Sequence, residues 1–279
     1  MSSATDTAIP PVEAAIGSAG SKRRTRKVLG RFLPSLGILA VVAALWEAAS
    51  HWFGVPKYIL PSLEAIWLKA VRSWSDTLAS ATWVTTKEVL GGFFLAVVVA
   101  VAIALLLHLS EPLRNAVYPL LIGSQAIPIV VIAPVLAIIF GYTITPKLIV
   151  VAFICFFSMV VNSLDGLRSV DPEYIRLMRT LDGNRWSTLR RVQIPAALPS
   201  MFTGMRIAAT YAPVGAVFGE YAGSQDGLGY VMIQATPLLQ TDMVFAAIAI
   251  LTIEAVLLFL AVSFVERMMC PWARRGHSV

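Results

Sequence analysis

Long uncharged stretches dominate the chain, and short charged ones punctuate it. Val89 to Leu109 runs 21 residues without a formal charge, and Val244 to Phe264 runs another 21 interrupted only by Glu254. At about 1.5 Å of helical rise per residue, each crosses the roughly 30 Å of hydrocarbon in a bilayer. Leu36 to Trp52, Ala116 to Phe140, Leu148 to Leu164 and Met201 to Tyr221 read as four more, so the pattern predicts an all-α membrane protein of six spans. The third span holds Pro119, Pro128 and Pro134. Neighbouring helices can satisfy the carbonyls that proline frees, so kinks rather than breaks are expected there.

Two connections stand out. From Gly54 to about Thr82 the chain gathers Tyr58, Trp67 and Trp74, with Trp52 and Trp83 at its edges. Such aromatics favour the membrane interface, which predicts a helix lying along the surface. Asp165 to Ser200 is cationic and strongly patterned. Asp171 and Pro172 supply a helix cap and first turn. Ile175, Met178 and Leu181 recur at helical spacing, Asp182-Gly183-Asn184 marks a turn, and Trp186, Leu189 and Val192 continue a second short amphipathic helix. Two such helices make a docking element, although pattern alone also fits a basic loop resting on lipid headgroups.

Composition agrees with the spans. Of 279 residues, 57% are hydrophobic and 14% charged, where a soluble domain carries about a quarter charged. The net charge of +6 could suggest nucleic acid, but its distribution argues otherwise. Only Lys57, Lys69, Arg72, Lys87 and Lys147 fall in segments that alternate to the outside; the other seventeen basic residues fall on the opposite side. That asymmetry places both termini of a multi-pass membrane protein in the cytoplasm. Residues 1–27 read as a disordered tail ending in a basic anchor, 28–272 as one membrane domain with a cytoplasmic loop at 165–200, and 273–279 as a second tail. The first apolar run is of span length without a small-residue cleavage site, so an uncleaved helix is expected rather than a signal peptide. Cys155 inside a span and Cys270 at its edge cannot pair across that depth.

Catalytic chemistry is thin. No G-x-x-x-x-G-K-[ST] phosphate loop occurs, and His51, His108 and His277 are scattered, so neither an ATP cradle nor a metal cluster is expected. The serines lack a His and a carboxylate at suggestive spacing, which leaves an intramembrane enzyme the weakest reading. Transport remains. Glu220 and Glu254 are acids at membrane depth and would suit an ion-coupled secondary transporter, but such a carrier has no need of the patterned loop. Gly215, Gly219 and Gly223 repeat every four residues and let a helix approach closely, either within the chain or in a second copy. Ser124, Gln125, Asn162, Thr210, Tyr211, Glu220, Tyr221 and Glu254 are the polar candidates for a substrate pathway.

The stretch from Leu181 to Ala208, L-D-G-N-R-W-S-T-L-R-R-V-Q-I-P-A-A-L-P-S-M-F-T-G-M-R-I-A, closely resembles the cytoplasmic signature loop of binding-protein-dependent ABC importer permeases. It is similar to the branch that serves sulfonates, taurine, nitrate and the pyrimidine precursor of thiamine. Leu60-Pro61-Ser62 and Gly227-Leu228-Gly229-Tyr230 are further echoes, and the similarity runs over about residues 35 to 272. The resemblance implies a type I importer fold, no catalysis and no cofactor in this chain, ATP and Mg bound by two partner ATPase subunits, a second permease copy, and an extracytoplasmic solute-binding protein. It also implies that Glu173, Arg176, Leu177, Met178, Arg179, Leu181, Asp182, Gly183, Arg185, Trp186 and Arg190 couple the chain to an ATPase. The sequence departs from the family where the loop begins Glu-Ala-Ala. Aligned through Arg185-Trp186, those positions hold Arg176, Leu177 and Met178, with Asp182 at the family's Gly position and Gly183 one place late. For the solute, no Lys or Arg other than Arg206 lies inside a predicted span, which disfavours a tight anion site and leaves either a permissive path whose selectivity the binding protein supplies or a neutral, cationic or aromatic solute. The Gly219-Glu220-Tyr221 and Gly227-to-Tyr230 segments are closer to the thiamine-precursor branch.

Overall fold

The computed structural model describes residues 19–52 and 56–272, and every regular element among them is helical. Two units separate, residues 1–63 and 64–279. The first holds α1 (Ala19–Trp52), which begins inside the stretch expected to be a tail; residues 1–18 and 273–279 lie outside the described residues. Within this unit the segment after α1 folds back upon it. The Trp46 indole donates to the Pro61 carbonyl at 3.0 Å, and the Leu63 N–H donates to Glu47 Oε2 at 2.9 Å.

The second unit starts with the short amphipathic helix expected in the aromatic-rich connection, α2 (Leu63–Arg72), and a π-helical turn at Trp74–Leu78. Then come α3 (Ala79–Leu109), α4 (Glu111–Ser124), α5 (Ile129–Phe140) and α6 (Ile144–Arg168). The patterned loop follows as α7 (Pro172–Thr180), α8 (Arg185–Thr188) and a π-helical turn at Leu189–Gln193, before α9 (Ile194–Tyr221), α10 (Leu228–Ala235) and α11 (Thr241–Met269).

Among the described residues, three helices are long and apolar enough to cross a membrane: Trp74–Leu109, Ile144–Arg168 and Thr241–Met269. The third expected span is not a kinked helix. It is the pair α4 and α5, separated by Gln125 to Pro128 and bent by 99°, and counted as one crossing it raises the total to four. Pro128 explains the break. It lacks an N–H to continue α4, and it holds Ile127 away from helical backbone angles. Two expected spans lack the apolar length of the others: the apolar part of α1, Gly37–Trp52, and α9. For α9 the reason is burial. Its Ala197, Met201, Ala208, Ala212, Gly215 and Gly219 face other helices rather than lipid, so α9 needs small residues more than greasy ones.

Contacts at opposite ends order the crossings. Lys147 at the start of α6 and Glu220 at the end of α9 meet Glu88 and Thr85 near the start of α3. At the other end His108 of α3 bonds Gln193 at 3.1 Å, and Arg206 of α9 pairs with Glu266 of α11 at 2.8 Å. Hence α3 and α6 run parallel, with α9 antiparallel to both, and α11 antiparallel to α9.

Helix α6 is the middle of this bundle, and glycines set its distance from its neighbours. A Cβ on Gly215 would lie 2.9 Å from Val151 Cα, and one on Gly219 would lie 3.0 Å from Lys147 Cα. Gly92 of α3 approaches the other side of α6, where a Cβ would stand 2.9 Å from the Leu148 carbonyl. Gly215 and Gly219 of the repeat therefore face a helix of the same chain, whereas Gly223 does not: it lies beyond the end of α9 at φ +129, where a Cβ would stand 2.4 Å from the Tyr142 ring. Gly215→Val forces backbone apart and should cost about 1–3 kcal/mol. Gly123→Ala, with nothing within 4 Å, should be near neutral. Thermal unfolding of the purified variants in detergent checks the contrast.

Candidate functional site

The break between α4 and α5 opens a cavity of about 440 Å³. Gln125, Ile127, Pro128 and Ile129 come from the break itself, Phe153, Ile154, Phe157 and Ser158 from one face of α6, and Tyr211 from α9. Non-helical backbone at membrane depth is tolerated only where protein covers it or where it lines a wet cavity. Gln125 and Tyr211 are both exposed here. Tyr211 continues a face of α9 that also carries Ile207, Thr210, Val214 and Tyr221, all exposed and spaced by helical turns. A surface with an amide, a phenol and a threonine at this depth is poorly matched to lipid, and it marks the side of the bundle that faces something else.

A second cluster of polar groups is closed. Lys147 Nζ donates to Glu88 Oε1 at 2.6 Å and to Ser224 Oγ at 2.7 Å, and the Glu88 side chain is only 1% exposed. Ser224 in turn donates to the Asp226 carbonyl at 2.5 Å. Beside this ion pair, Glu220 is fully buried. The Thr85 hydroxyl donates to its Oε1 at 2.6 Å, and the Gly229 N–H donates to its Oε2. Thr85 Oγ1 also accepts from the Leu228 N–H at 2.9 Å. Glu220 thus caps the first turn of α10, where free N–H groups and the helix dipole favour a carboxylate. Only glycine fits the approach. Gly227 has φ +106, and a Cβ there would sit 2.1 Å from Glu220 Oε1. The Gly227-Leu228-Gly229 run is therefore the seat of Glu220. Glu88 and Glu220 also lie against each other, and Glu88 Oε2 has no other hydrogen-bond partner among the described residues.

The loop between α6 and α9 forms the third feature. Asp171 caps α7 through the Glu173 N–H at 2.8 Å, and Asn184 caps α8 through the Ser187 N–H at 2.7 Å. Between them Asp182 takes left-handed backbone at φ 56, and the Gly183 N–H closes the turn on the Met178 carbonyl at 2.8 Å. Asp holds the position where glycine is usual, which gives the displaced glycine a geometric account. Leu189 is buried and packs on Leu167, Ala197 and Met201, tying the loop to the bundle. Leu177, Leu181 and Trp186 are 55%, 69% and 66% exposed, with Arg176, Arg179, Arg185 and Arg190 exposed among them. Met178 is half-buried beneath the turn.

The structure thus gathers the sequence candidates into different places. Gln125 and Tyr211 share the cavity, Thr210 adjoins it, and Ser124 ends the helix before it. Asn162 does not reach it: its amide bonds the Ser158 carbonyl at 2.7 Å, and its Cβ packs against Gly204 of α9. Glu220 belongs to the closed cluster. Glu254 lines a separate, largely apolar groove of about 460 Å³ with Trp74, Leu90, Ile253 and Leu257; Thr86 bonds its Oε1, and its Oε2 is unpaired among the described residues. Sequence reasoning missed Thr85, Glu88 and Lys147, which read as flanking polar residues, although Thr85, Glu88 and Gly92 fall on one helical face. It also missed Phe153 and Phe157, which carry no signal to separate them from lipid-facing apolar positions.

Residues 91–275 match the family described as the binding-protein-dependent transport system inner membrane component. The chain is 35% identical over 234 residues to a probable ABC transporter permease protein of Haemophilus influenzae, covering 84% of this chain and 95% of that one. It is 34% identical over 243 residues to the formylaminopyrimidine transport permease protein ThiX of Halalkalibacterium halodurans, covering 87% and 96%. It is also 34% identical over 246 residues to the riboflavin transport system permease protein RibX of Chloroflexus aurantiacus, covering 86% and 91%. In fold it is similar to an inward-facing MetNI methionine ABC transporter structure, with a TM-score of 0.59 at 19% identity over 69% of this chain and 95% of that chain.

Removing one partner of a buried ion pair costs about 3–5 kcal/mol, because a charge is left without its counter-ion. Lys147→Met should therefore destabilise the purified protein severely, and Glu88→Gln in the Lys147→Met background should recover part of the loss. Melting temperatures of the two single variants and the double variant provide the check.

Proposed function

The chain belongs to the binding-protein-dependent transport system inner membrane component family, and from that premise we propose that it carries a small, uncharged heterocycle handed over by an extracytoplasmic binding protein. It is a permease subunit of an ABC importer, resident in the bacterial inner membrane, and it catalyses nothing itself. The fold is all-α and of the type I importer kind. The observation that carries the solute reading is the cavity at the broken span, whose lining has an amide, a phenol and aromatic rings but no formal charge. A sulfonate or nitrate passing there would find no cation to replace its water. Two relatives at 34% identity bear names that refer to a pyrimidine and a flavin, both flat heterocycles.

The working unit we infer has two permease copies of six spans each, with both termini cytoplasmic, two ATPase subunits that bind ATP and Mg, and one binding protein. The cavities of the two copies face a shared path. In this reading Thr210, Tyr211, Ser124, Gln125 and Tyr221 lie along it, while Glu220 and Asn162 shape its wall. The loop of α7 and α8 inserts Leu177, Leu181 and Trp186 into an ATPase groove, and Arg176, Arg179, Arg185 and Arg190 meet acidic groups on the rim. Glu173 and Asp182 hold the two ends of α7.

Uptake into proteoliposomes holding the complete complex decides the solute. A hydroxymethylpyrimidine should be taken up and should compete with itself, while taurine and nitrate should not; efficient uptake of either anion with no response to the pyrimidine refutes the preference. Met178→Asp combined with Leu181→Asp should abolish co-purification with the ATPase or leave hydrolysis running without uptake. Normal assembly and transport in that variant would remove the coupling role from the loop. The purified chain alone should hydrolyse no ATP.

A further inference from the structure

Unpartnered polar atoms occur at several places in the second unit, Glu88 Oε2 and Glu254 Oε2 among them, and two exposed side chains at the break are uncommitted as well. The Gln125 amide makes no side-chain hydrogen bond among the described residues, nor does the Tyr211 hydroxyl, while Ser158 donates to the Cys155 carbonyl and keeps its acceptor capacity. Phe153 and Phe157 stand one helical turn apart on the face of α6 that lines the same cavity. Pro128 contributes a rigid wall and no donor.

We propose that this cavity is a solute-binding site of the permease itself, built to hold a flat aromatic heterocycle between the Phe153 and Phe157 rings, with Gln125 and Tyr211 hydrogen-bonding its ring edge. The proposal rests on the heterocycle reading given above and adds to it a site within the membrane. A volume of about 440 Å³ lies in the range of small-molecule pockets, and an apolar lining with a few convergent polar groups is their usual chemistry. An amide offers a donor and an acceptor side by side, which matches the alternation of ring nitrogens and exocyclic amino groups in an aminopyrimidine. A phenol adds one more group of either kind. Aromatic faces bind such rings by offset stacking or edge contact, without the charge that would hold a product too tightly to release. A Glu220 or Glu254 site would instead be acidic, and Glu220 is already closed by its own hydrogen bonds.

The test uses the complete complex in proteoliposomes, with saturating binding protein and radiolabelled hydroxymethylpyrimidine as probe. Gln125→Leu and Tyr211→Phe remove hydrogen bonds with little change of volume, Phe157→Leu removes a ring, and Thr252→Ala, exposed on α11 away from the cavity, serves as control. ATP hydrolysis stimulated by loaded binding protein is followed in parallel, so that a variant with a folding or coupling defect is recognised by its loss of stimulation. The expected result is a pyrimidine uptake per ATP hydrolysed about fivefold lower in each cavity variant, the scale of one hydrogen bond for Gln125→Leu and Tyr211→Phe and of one aromatic contact for Phe157→Leu, with stimulation and the control unchanged. If the wild type takes up the pyrimidine and all three cavity variants match it, the site is wrong and the heterocycle reading stands. If the wild type takes up taurine or nitrate and not the pyrimidine, both are wrong.

Discussion

Hydrocarbon accepts no unpaired charge, and in this protein that constraint bears most heavily on Glu88 and Glu220. Two carboxyl groups are buried side by side against one ammonium, that of Lys147, and the first turn of α10. Breaking the Lys147–Glu88 pair leaves a charge, and breaking the Glu220 hydrogen bonds leaves buried polar atoms, where neither water nor lipid can satisfy them. The consequence is geometric. The start of α3, the start of α6, the end of α9 and the start of α10 are held at one point, and the glycines that let α6 approach α3 and α9 complete the arrangement. The small-residue packing and the ionic cluster serve a single purpose, a rigid block from which the moving parts can hang.

The broken span is the complement of that block. Its backbone is irregular at a depth where irregularity must be covered or wetted, and its uncommitted polar side chains lie on the same side as the exposed face of α9. At the opposite end, the loop presents three large apolar side chains to solvent on helices that are capped and anchored by Leu189. A packed core, an open wall and an exposed apolar loop suit the permease half proposed above. Each follows from where polar groups can and cannot be satisfied.

Much of this was legible from residue order. The long apolar runs, the short helix in the aromatic-rich connection, the cap at Asp171 and the turn at Asp182-Gly183-Asn184 rest on local chemistry, and local chemistry is what a sequence displays. The glycine repeat announced close packing, but its partner, α6 rather than a second copy, needed coordinates. The proline-rich span was misjudged as kinked. Whether neighbours restore a helix after Pro128 depends on packing that no local pattern reveals. Glu220 and Glu254 looked alike as buried acids and differ entirely in surroundings, one seated on glycines and a helix start, the other bordering an apolar groove. Nor could sequence distinguish Phe153 and Phe157, because an aromatic facing a path and one facing lipid are the same residue.

If the proposed path works as that of an ATP-driven importer, the wall around Gln125 opens to one side of the membrane at a time as ATP binds the partner subunits. Thiol accessibility tests it directly. Gln125→Cys, in a background where Cys155 and Cys270 are replaced by alanine, would be probed in the reconstituted complex with a membrane-impermeant maleimide added from each side in turn. The account predicts labelling from the side of the α7–α8 loop alone without nucleotide, and from the opposite side alone when the ATPases are trapped with ATP and vanadate. Labelling that ignores the nucleotide state, or that occurs from both sides in one state, would contradict it.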